Sequence, residues 1–293
     1  MEDKLPIGNY RREYFNAFRE IGDLTEKRVI GKSVLGEGLC CYKIGRGKRG
    51  VVAVGAHHAM EHITASALYR FVDFLTEELA RGRVFYGVNL TLLLQKFTFW
   101  IIPCLNPDGV DLHLASSTDN PLGERQIKMN GGEDFSRWQS NARGVDLNHN
   151  YDYGFYEYKG VEAVRGIYPG RGLFSGEFPE SEPETRAMAG FVRALAPSLV
   201  VSLHTQGEEI YFAPADKRVG RIAARLAASL RYSSASPSGT ALYGGLCDYT
   251  GYTLGIPSFT VELGRGENPL PMSELPHLAE VVRKALITLP TLL

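Results

Sequence analysis

Residues 51–56 (VVAVGA), followed directly by residues 57–62 (HHAMEH), decide the fold of this chain. A short apolar run bounded by glycine is typical of a strand that is buried on both faces of a sheet. Residues 63–79 then have the apolar spacing of an amphipathic helix. This order predicts a strand, loop and helix unit, which is the building block of α/β folds.

The same alternation continues toward the C-terminus. Residues 198–203 (SLVVSL) and 258–263 (SFTVEL) predict further buried strands, and helical periodicity lies between them. We therefore expect a single α/β domain over residues 1–293, with a mixed, mostly parallel sheet. The other predicted elements are helices at 9–22, 183–196 (capped by Ser181), 217–230, 246–254 and 273–289, a hairpin at 28–44, strands at 90–94 and 97–103 that pair as a hairpin, a turn at 106–109 and an irregular stretch at 115–182.

Charge and hydropathy exclude several classes of protein. The chain carries 32 Lys and Arg against 33 Asp and Glu, so it lacks the electrostatic footprint of a nucleic-acid binder. Its most apolar stretch, residues 88–105, is interrupted by Gln95 and Lys96, which predicts buried strands and no membrane span. The charged residues near the N-terminus do not fit the apolar core of a secretory signal and predict a cytoplasmic protein.

Polar residues that follow the predicted strands form a candidate metal site. His58 and Glu61 are three residues apart, so both side chains can point the same way from one turn. His204 follows another predicted strand, and ligands of α/β sheets bind at the carboxyl ends of strands. The four cysteines show no CxxC spacing, so histidine and carboxylate must supply any metal ligands. By itself, this short pattern also fits a surface histidine cluster.

Glu262 lies in an apolar, β-rich run, where a carboxylate is unusual. Charged side chains are rarely buried unless they are paired or functional. Glu262 is therefore either a salt-bridged strand end or a general base beside a metal-bound water.

Six motifs occur in a fixed order along residues 52–266: HAME at 58–61, NPDG at 106–109, GVDLN at 144–148, SEPET at 181–185, His204, and FTVE at 259–262. In this order they resemble the zinc carboxypeptidase A-like metallopeptidases. The resemblance implies a mixed eight-stranded sheet with helices on both faces. It also implies one Zn²⁺ held by His58, Glu61 and His204, with Glu262 as general base and then general acid.

The GVDLN motif combines a family feature with a departure from the family. The resemblance implies that Asp146 orients His58, as carboxylates do for metal-binding histidines, although Asp146 could also be a plain turn residue. The carboxylate-binding arginine of the family follows the Asn of this motif, whereas here Asn148 is followed by His149. Because an imidazole cannot form a bidentate fork, removal of C-terminal residues from ordinary peptides becomes less expected.

The cation that faces the oxyanion in the family is also missing from its usual position. That position aligns with Gln139, which is neutral. We expect Arg143 to take over this role, with Arg137 as a weaker candidate, although either arginine could be a solvated loop charge.

Two further substrate-binding positions of the family are altered. The tyrosine that closes over the substrate aligns with Thr240, and Tyr243 is three residues later. The residue at the base of the specificity pocket corresponds to Cys247, which has no charge to indicate a preference. Asp248, next to it, could bind a cationic amine of the substrate.

Three longer strings narrow the resemblance: WQSNARGVDLNHNY at 138–151, HTQGEEIY at 204–211, and VELGRGENP at 261–269. They are similar to the bacterial γ-D-glutamyl-L-diamino-acid peptidases, which cut the bond between γ-D-glutamate and a diamino acid in cell-wall peptides. This resemblance implies a murein-derived peptide substrate and, with the expected location, a cytoplasmic role in trimming recycled murein peptides.

Other functions fit the same residues. One is a zinc deacylase similar to aspartoacylase, and another is a carboxypeptidase whose carboxylate pocket is rebuilt around His149 and Arg265. A binding module that senses peptides without cutting them is a third, although it has no physical need for a buried acid such as Glu262.

Overall fold

One eight-stranded sheet organises the computed structural model, which describes residues 8–79, 81–115, 118–214, 216–236 and 241–293. The strands are β1 (Thr25–Lys32), β2 (Gly38–Ile44), β3 (Arg49–Val54), β4 (Val84–Phe85), β5 (Val88–Asn89), β6 (Phe97–Ile102), β7 (Leu199–His204), β8 (Glu209–Ala213), β9 (Ser233–Ser234) and β10 (Ser258–Glu262). Their order in the large sheet is β1-β2-β6-β3-β7-β10-β8-β9, and β4 pairs with β5 separately.

The sheet is mixed, as the sequence predicts. Strands β6, β3, β7 and β10 run parallel at its centre. The predicted hairpin of β1 and β2 is antiparallel, and so are the pairings of β2 with β6 and of β10 with β8. The implied eight-stranded, mostly parallel sheet is thus confirmed.

Helices cover both faces of the sheet. They are α1 (Gly8–Ala17), α2 (Ile63–Glu78), α3 (Leu90–Lys96), α4 (Pro107–Ala115), α5 (Gly123–Asn130), α6 (Phe155–Arg165), α7 (Pro183–Leu195), α8 (Lys217–Leu230), α9 (Leu246–Asp248) and α10 (Leu275–Thr288). None of the helices in the described ranges has the length and apolar character needed to cross a membrane.

Alternating side chains of the central strands build two cores. In β3, Val51 and Ala53 pack into the core under α2, α8 and α10, whereas Val52 and Val54 pack into the core under α7. Successive side chains of a strand point to opposite faces, so an uninterrupted apolar run is what a doubly covered strand requires.

Residues 90–94 form a helix, and the predicted strand there is wrong. The side chain of Asn89 accepts a hydrogen bond from the backbone N–H of Leu92 at 3.0 Å, which caps the first turn of α3. Leucine has a high helix propensity, and the short apolar run gave no periodicity that separates helix from strand. The predicted hairpin with β6 is therefore absent, and β6 pairs with β2 and β3.

The NPDG sequence begins a helix, and the predicted turn is wrong. Asn106 Oδ1 accepts a hydrogen bond from the N–H of Gly109 at 3.0 Å, and Pro107 occupies the first helical position of α4. Asn106 Nδ2 also donates to the carbonyl oxygens of His57 and Ser140, each at 3.0 Å. Asn106 thus joins the loop after β3 to the loop before GVDLN.

Other boundaries differ from the prediction by a few residues or by an added element. The stretch 115–182 contains α5 and α6, and β8 was not predicted. Helix α7 begins after Glu182, not after a Ser181 cap, and Ser181 Oγ donates to the Glu182 carboxylate at 3.1 Å. The predicted helix at 246–254 is α9 followed by a π-helical turn (Tyr249–Thr253).

Candidate metal centre and catalytic cavity

The candidate site lies where three neighbouring parallel strands end. His204 is the last residue of β7, and its register partner Glu262 is the last residue of β10. Strand β3 lies on the other side of β7, and His58 and Glu61 follow it in the loop before α2. The carboxyl ends of parallel strands meet at one edge of a sheet, so residues far apart in the sequence converge here.

Three donor atoms converge in a geometry that fits a single metal ion. Donor atoms of His58, Glu61 and His204 all lie within 4.8 Å of one another. His58 Nδ1 is 2.9 Å from Glu61 Oε1, and His204 Nδ1 is 3.0 Å from Glu61 Oε2. Two imidazoles and one carboxylate are a donor set that catalytic zinc uses, with one position left for water. The predicted ligands are thus together, and the residues present fit one Zn²⁺.

Each histidine of this set is held from its other ring nitrogen. Nε2 of His58 lies 3.1 Å from Asp146 Oδ1, and Nε2 of His204 lies 3.1 Å from Ser202 Oγ. Such partners leave Nδ1 of both rings directed at the metal position. Burial alone would raise the pKa of Glu61, but the charges of His58 and His204 lower it to about 2. Glu61 is therefore ionised, which is the form in which a carboxylate binds a metal ion.

Asp146 is fully buried and accepts several hydrogen bonds. Besides His58, the donors are Nε2 of Gln139 at 2.6 Å and the backbone N–H groups of Asn148 and Leu173, each at 3.1 Å. Burial would raise the pKa of Asp146, but the charge and hydrogen bond of His58 hold it well below its usual range. Asp146 therefore stays ionised, and it both orients His58 and caps the turn of the GVDLN motif.

Asn268, which the sequence did not single out, holds Glu61 from the far side. Its Nδ2 lies 3.4 Å from Glu61 Oε1 and donates to the carbonyl oxygen of Thr205 at 2.8 Å. Thr205 Oγ1 in turn donates to Asn268 Oδ1 at 2.7 Å. The only sequence signal for this residue is its place in the string VELGRGENP.

Glu262 lines the cavity beside the three donors. No hydrogen bond or ion pair involves its carboxylate in the part of the chain that the structure describes. Glu262 is therefore not the salt-bridged strand end that the sequence also allowed. Burial raises the pKa of Glu262 to about 8, with further contributions from the negative charges of Glu61 and Glu209. A carboxyl group in this environment can hold a proton near neutral pH, and a nearby bound cation would favour its ionised form.

The cavity next to the donors has a volume of about 230 Å³. Of the predicted substrate-binding residues, Asn148, His149, Cys247 and Asp248 line it. Its lining contains no lysine or arginine among the described residues. The lining also includes residues that the sequence did not identify: Thr205, Tyr211, Phe212, Tyr252 and Thr260.

The candidate arginines lie outside this lining. Arg143 Nη1 is 3.6 Å from Glu182 Oε2, and Arg265 Nε is 2.6 Å from Glu208 Oε2. Arg137 Nη2 lies 3.8 Å from Glu267. All three side chains are exposed, so the structure does not place the predicted cation beside the metal position. The physical reason is that each of these long loop side chains pairs with a carboxylate outside the cavity, which spacing in the sequence does not reveal.

His149 is buried, and its environment favours the uncharged imidazole. Its ring stacks on Tyr158 with centroids 4.0 Å apart, and its Nδ1 is 2.9 Å from the carbonyl oxygen of Tyr243. Burial lowers the pKa of His149 below its usual value. The Tyr243 side chain lines an adjoining cavity, not the catalytic one, and Thr240 lies outside the described residues.

Comparisons with known proteins identify a family and several relatives of this chain. The model of the family described as zinc carboxypeptidase matches residues 12–285. The chain is 32% identical over 248 residues to gamma-D-glutamyl-L-diamino acid endopeptidase 1 of Lysinibacillus sphaericus, which covers 84% of this chain and 62% of that protein. It is also 32% identical over 262 residues to the uncharacterized protein YqgT of Bacillus subtilis (strain 168), covering 86% of this chain and 68% of that protein.

The comparison with solved structures shows a shared fold. Bovine thrombin-activatable fibrinolysis inhibitor, in complex with tick carboxypeptidase inhibitor, superposes with a TM-score of 0.75 at 22% identity, covering 98% of this chain and 97% of that one. The chain spans 62% of the length of the Lysinibacillus endopeptidase, so the substrate of that protein does not transfer directly. The family match over nearly all of the chain, with the metal donors in place, shows that this protein belongs to the zinc carboxypeptidase family.

Proposed function

We propose that this protein is a zinc-dependent peptidase that hydrolyses the amide bond between γ-D-glutamate and a diamino acid in murein-derived peptides. The observation that carries the proposal is a zinc-type donor set beside the unpaired carboxylate of Glu262, in a cavity whose described lining has no lysine or arginine. The name of the Lysinibacillus relative supports the substrate class.

The residues of the chain have separate tasks in this reaction. Zinc, when bound, would lower the pKa of a water molecule and polarise the scissile carbonyl group. Glu262 accepts the proton of the attacking water and then delivers it to the nitrogen of the leaving amine. Asp146 and Ser202 keep the imidazoles of His58 and His204 oriented while this happens.

The absence of lysine and arginine from the described cavity lining favours cleavage inside a peptide over removal of a C-terminal residue. A free terminal carboxylate is normally gripped by an arginine fork, and here Asn148 and the buried His149 occupy that region. Asn148 Oδ1 accepts a hydrogen bond from the N–H of Leu246 at 3.2 Å, which leaves its Nδ2 group as a neutral donor for substrate. A residue whose carboxyl group is already in an amide bond fits this lining better than a free carboxylate.

The test compares two linkages in matched peptides. Zinc-loaded protein is incubated with L-Ala-γ-D-Glu-meso-diaminopimelate-D-Ala and with its α-linked L-Glu isomer, and the products are identified by mass. We expect cleavage after γ-D-Glu by the wild type and none by Glu262→Gln. Cleavage of the α-linked peptide alone would overturn the γ-glutamyl assignment. If neither peptide is cleaved and an N-acylated amino acid incubated in parallel is hydrolysed, the protein is a deacylase.

The place of this reaction in the cell is a separate part of the proposal. A cytoplasmic protein would act on murein peptides that have been taken up, whereas an exported one would act on the wall itself. Cell fractionation with an antibody to the native protein distinguishes the two, and recovery outside the membrane would remove the recycling role while leaving the chemistry unchanged.

A further inference from the structure

A second cavity, of about 200 Å³, adjoins the catalytic cavity. We call it the aromatic annex; besides the small residues Ala235 and Ser236, it is lined by Tyr153, Phe212, Leu242, Tyr243, Asp248 and Tyr252. Phe212, Asp248 and Tyr252 line both cavities, so the two spaces meet at these side chains. A group that enters the catalytic cavity can therefore extend into the annex.

Aromatic rings dominate the annex. Tyr153 and Tyr252 stack with ring centroids 4.8 Å apart and an interplanar angle of 16°. Tyr243 is held against Gly154, where an added Cβ would lie 2.3 Å from Tyr243 Cδ1 and the backbone φ is +61°. Only glycine meets both conditions without strain, so the local backbone is shaped to admit the Tyr243 ring.

Asp248 supplies a negative charge at the junction of the two cavities. Its carboxylate is half-buried, and within the described ranges it makes no hydrogen bond or ion pair. Burial raises the pKa of Asp248 to about 6. No lysine or arginine occurs in the described lining of either cavity, so the protein offers this carboxylate no partner of its own.

We propose that the aromatic annex, together with Asp248, binds an alkylammonium group, namely the distal ammonium on the side chain of the diamino residue of the substrate. Aromatic faces attract cations through the ring quadrupole, and cages of aromatic rings are a known way to recognise ammonium groups. A half-buried carboxylate without a partner is stabilised by a nearby cation. A neutral side chain would fill the same space but leave Asp248 unpaired.

This inference rests on the proposed function for the identity of the substrate. It is tested by replacing the terminal ammonium group of the substrate side chain with a methyl group. Two γ-D-glutamyl peptides that differ only in L-lysine or L-norleucine at the third position are compared by kcat/KM. With the wild type, we expect the lysine peptide to be favoured by at least about 30-fold, as a desolvated cation facing a carboxylate and aromatic rings implies.

Each variant is judged by the ratio of kcat/KM for the lysine peptide to kcat/KM for the norleucine peptide. A general loss of activity lowers both values and leaves this ratio unchanged. Asp248→Asn should reduce the ratio to within about 3-fold, because the charge that distinguishes the substrates is gone. Asp152→Asn, which removes an exposed carboxylate outside both linings, is the matched control and should keep the wild-type ratio. Tyr252→Ala should lower the ratio severalfold, and Tyr252→Phe should restore it because the ring face is retained.

A measurement without turnover separates this inference from the proposed function. Zinc-loaded Glu262→Gln protein is titrated by calorimetry with Nα-acetyl-L-lysine amide and with Nα-acetyl-L-norleucine amide. Tighter binding of the lysine compound that is lost in the Glu262→Gln, Asp248→Asn double variant supports the annex assignment even if γ-glutamyl peptides are not cleaved. Equal binding of both compounds, or equal cleavage of both peptides by the wild type, overturns it while leaving the γ-glutamyl peptidase reaction intact.

Discussion

The two sides of the catalytic cavity differ in how they are built. The metal side comes from the ends of β3, β7 and β10, and its donors are fixed by strand register and by partners such as Asp146 and Ser202. The substrate side comes mainly from loops, from short helical turns such as α9 and from the short strand β8, and the arginines predicted for it pair with carboxylates outside the cavity. At a sheet edge, strand register determines the positions of the side chains. In a loop, their positions depend on the neighbouring groups that each side chain contacts.

The largest effect is expected from removing a ligand on the metal side. His204→Ala should abolish stoichiometric zinc binding and lower peptidase activity by more than about 1,000-fold, because two remaining donors hold zinc weakly. Zinc content measured by elemental analysis, alongside circular dichroism to verify folding, checks this. A folded His204→Ala protein with one zinc per chain would show that the donors were assigned wrongly.

Glu262→Gln is expected to separate zinc binding from catalysis. The amide cannot accept the proton of water, so kcat should fall by roughly 100- to 10,000-fold, while zinc content should match the wild type. Steady-state kinetics on whichever peptide the wild type cleaves gives the measurement. Retained activity would mean that another group on the substrate side is the base.

The Asp146 contact to His58 predicts an intermediate effect on the metal side. Asp146→Asn should weaken zinc binding by about 10- to 100-fold, since an amide no longer provides the charge that fixes the imidazole. Competition with a chelator of known affinity measures the change. Gln139→Leu, which removes a donor to Asp146 without touching His58, is the control and should shift zinc affinity less.

Sequence reasoning worked on the two sides to different extents, for physical reasons. Buried strands are read from uninterrupted apolar runs, so residues 51–56 and 198–203 predict both the strands and the candidate metal donors that come directly after these runs. Residues 90–94 were misread because a short leucine-rich run fits a helix equally well. Tyr211 and Phe212 were missed because they lie on the short strand β8, whose pattern is too brief to identify its facing side.

The SEPET motif at 181–185 belongs to neither side, because none of its residues lines the catalytic cavity. Glu184 is fully buried, and its carboxylate accepts a hydrogen bond from the N–H of Val34 at 3.0 Å. Burial raises the pKa of Glu184 to about 8, and the nearby Asp108 and Glu182 add to this, whereas the Val34 hydrogen bond opposes it. The folded protein therefore binds this proton more tightly than the unfolded chain does.

This pKa predicts how stability changes with pH. Because the pKa of Glu184 is higher in the folded state than its usual value of 4.5, its stabilising contribution is complete below that value and is lost as the pH rises toward 8. The loss is at most about 1.4 kcal/mol per pH unit for one proton. Urea unfolding at pH 5, 6, 7 and 8 should show a shallower decline for Glu184→Gln than for the wild type, and parallel declines would contradict the assignment.

Arg143 gives the smallest expected effect and the sharpest test of how the two sides differ. If the position of a residue in the motif determined its role, Arg143→Ala would remove the cation beside the oxyanion and lower kcat by roughly 100- to 1,000-fold. In the structure, its exposed guanidinium lies 3.6 Å from the buried carboxylate of Glu182 and outside the lining of the cavity, so it does not face the position of a bound substrate. We therefore expect kcat/KM for the preferred peptide to change by less than about 3-fold, with Arg265→Ala behaving alike. A large loss of kcat in Arg143→Ala alone would mean that this loop rearranges to bring the cation to the bound substrate, and that the substrate side is completed only when substrate is present.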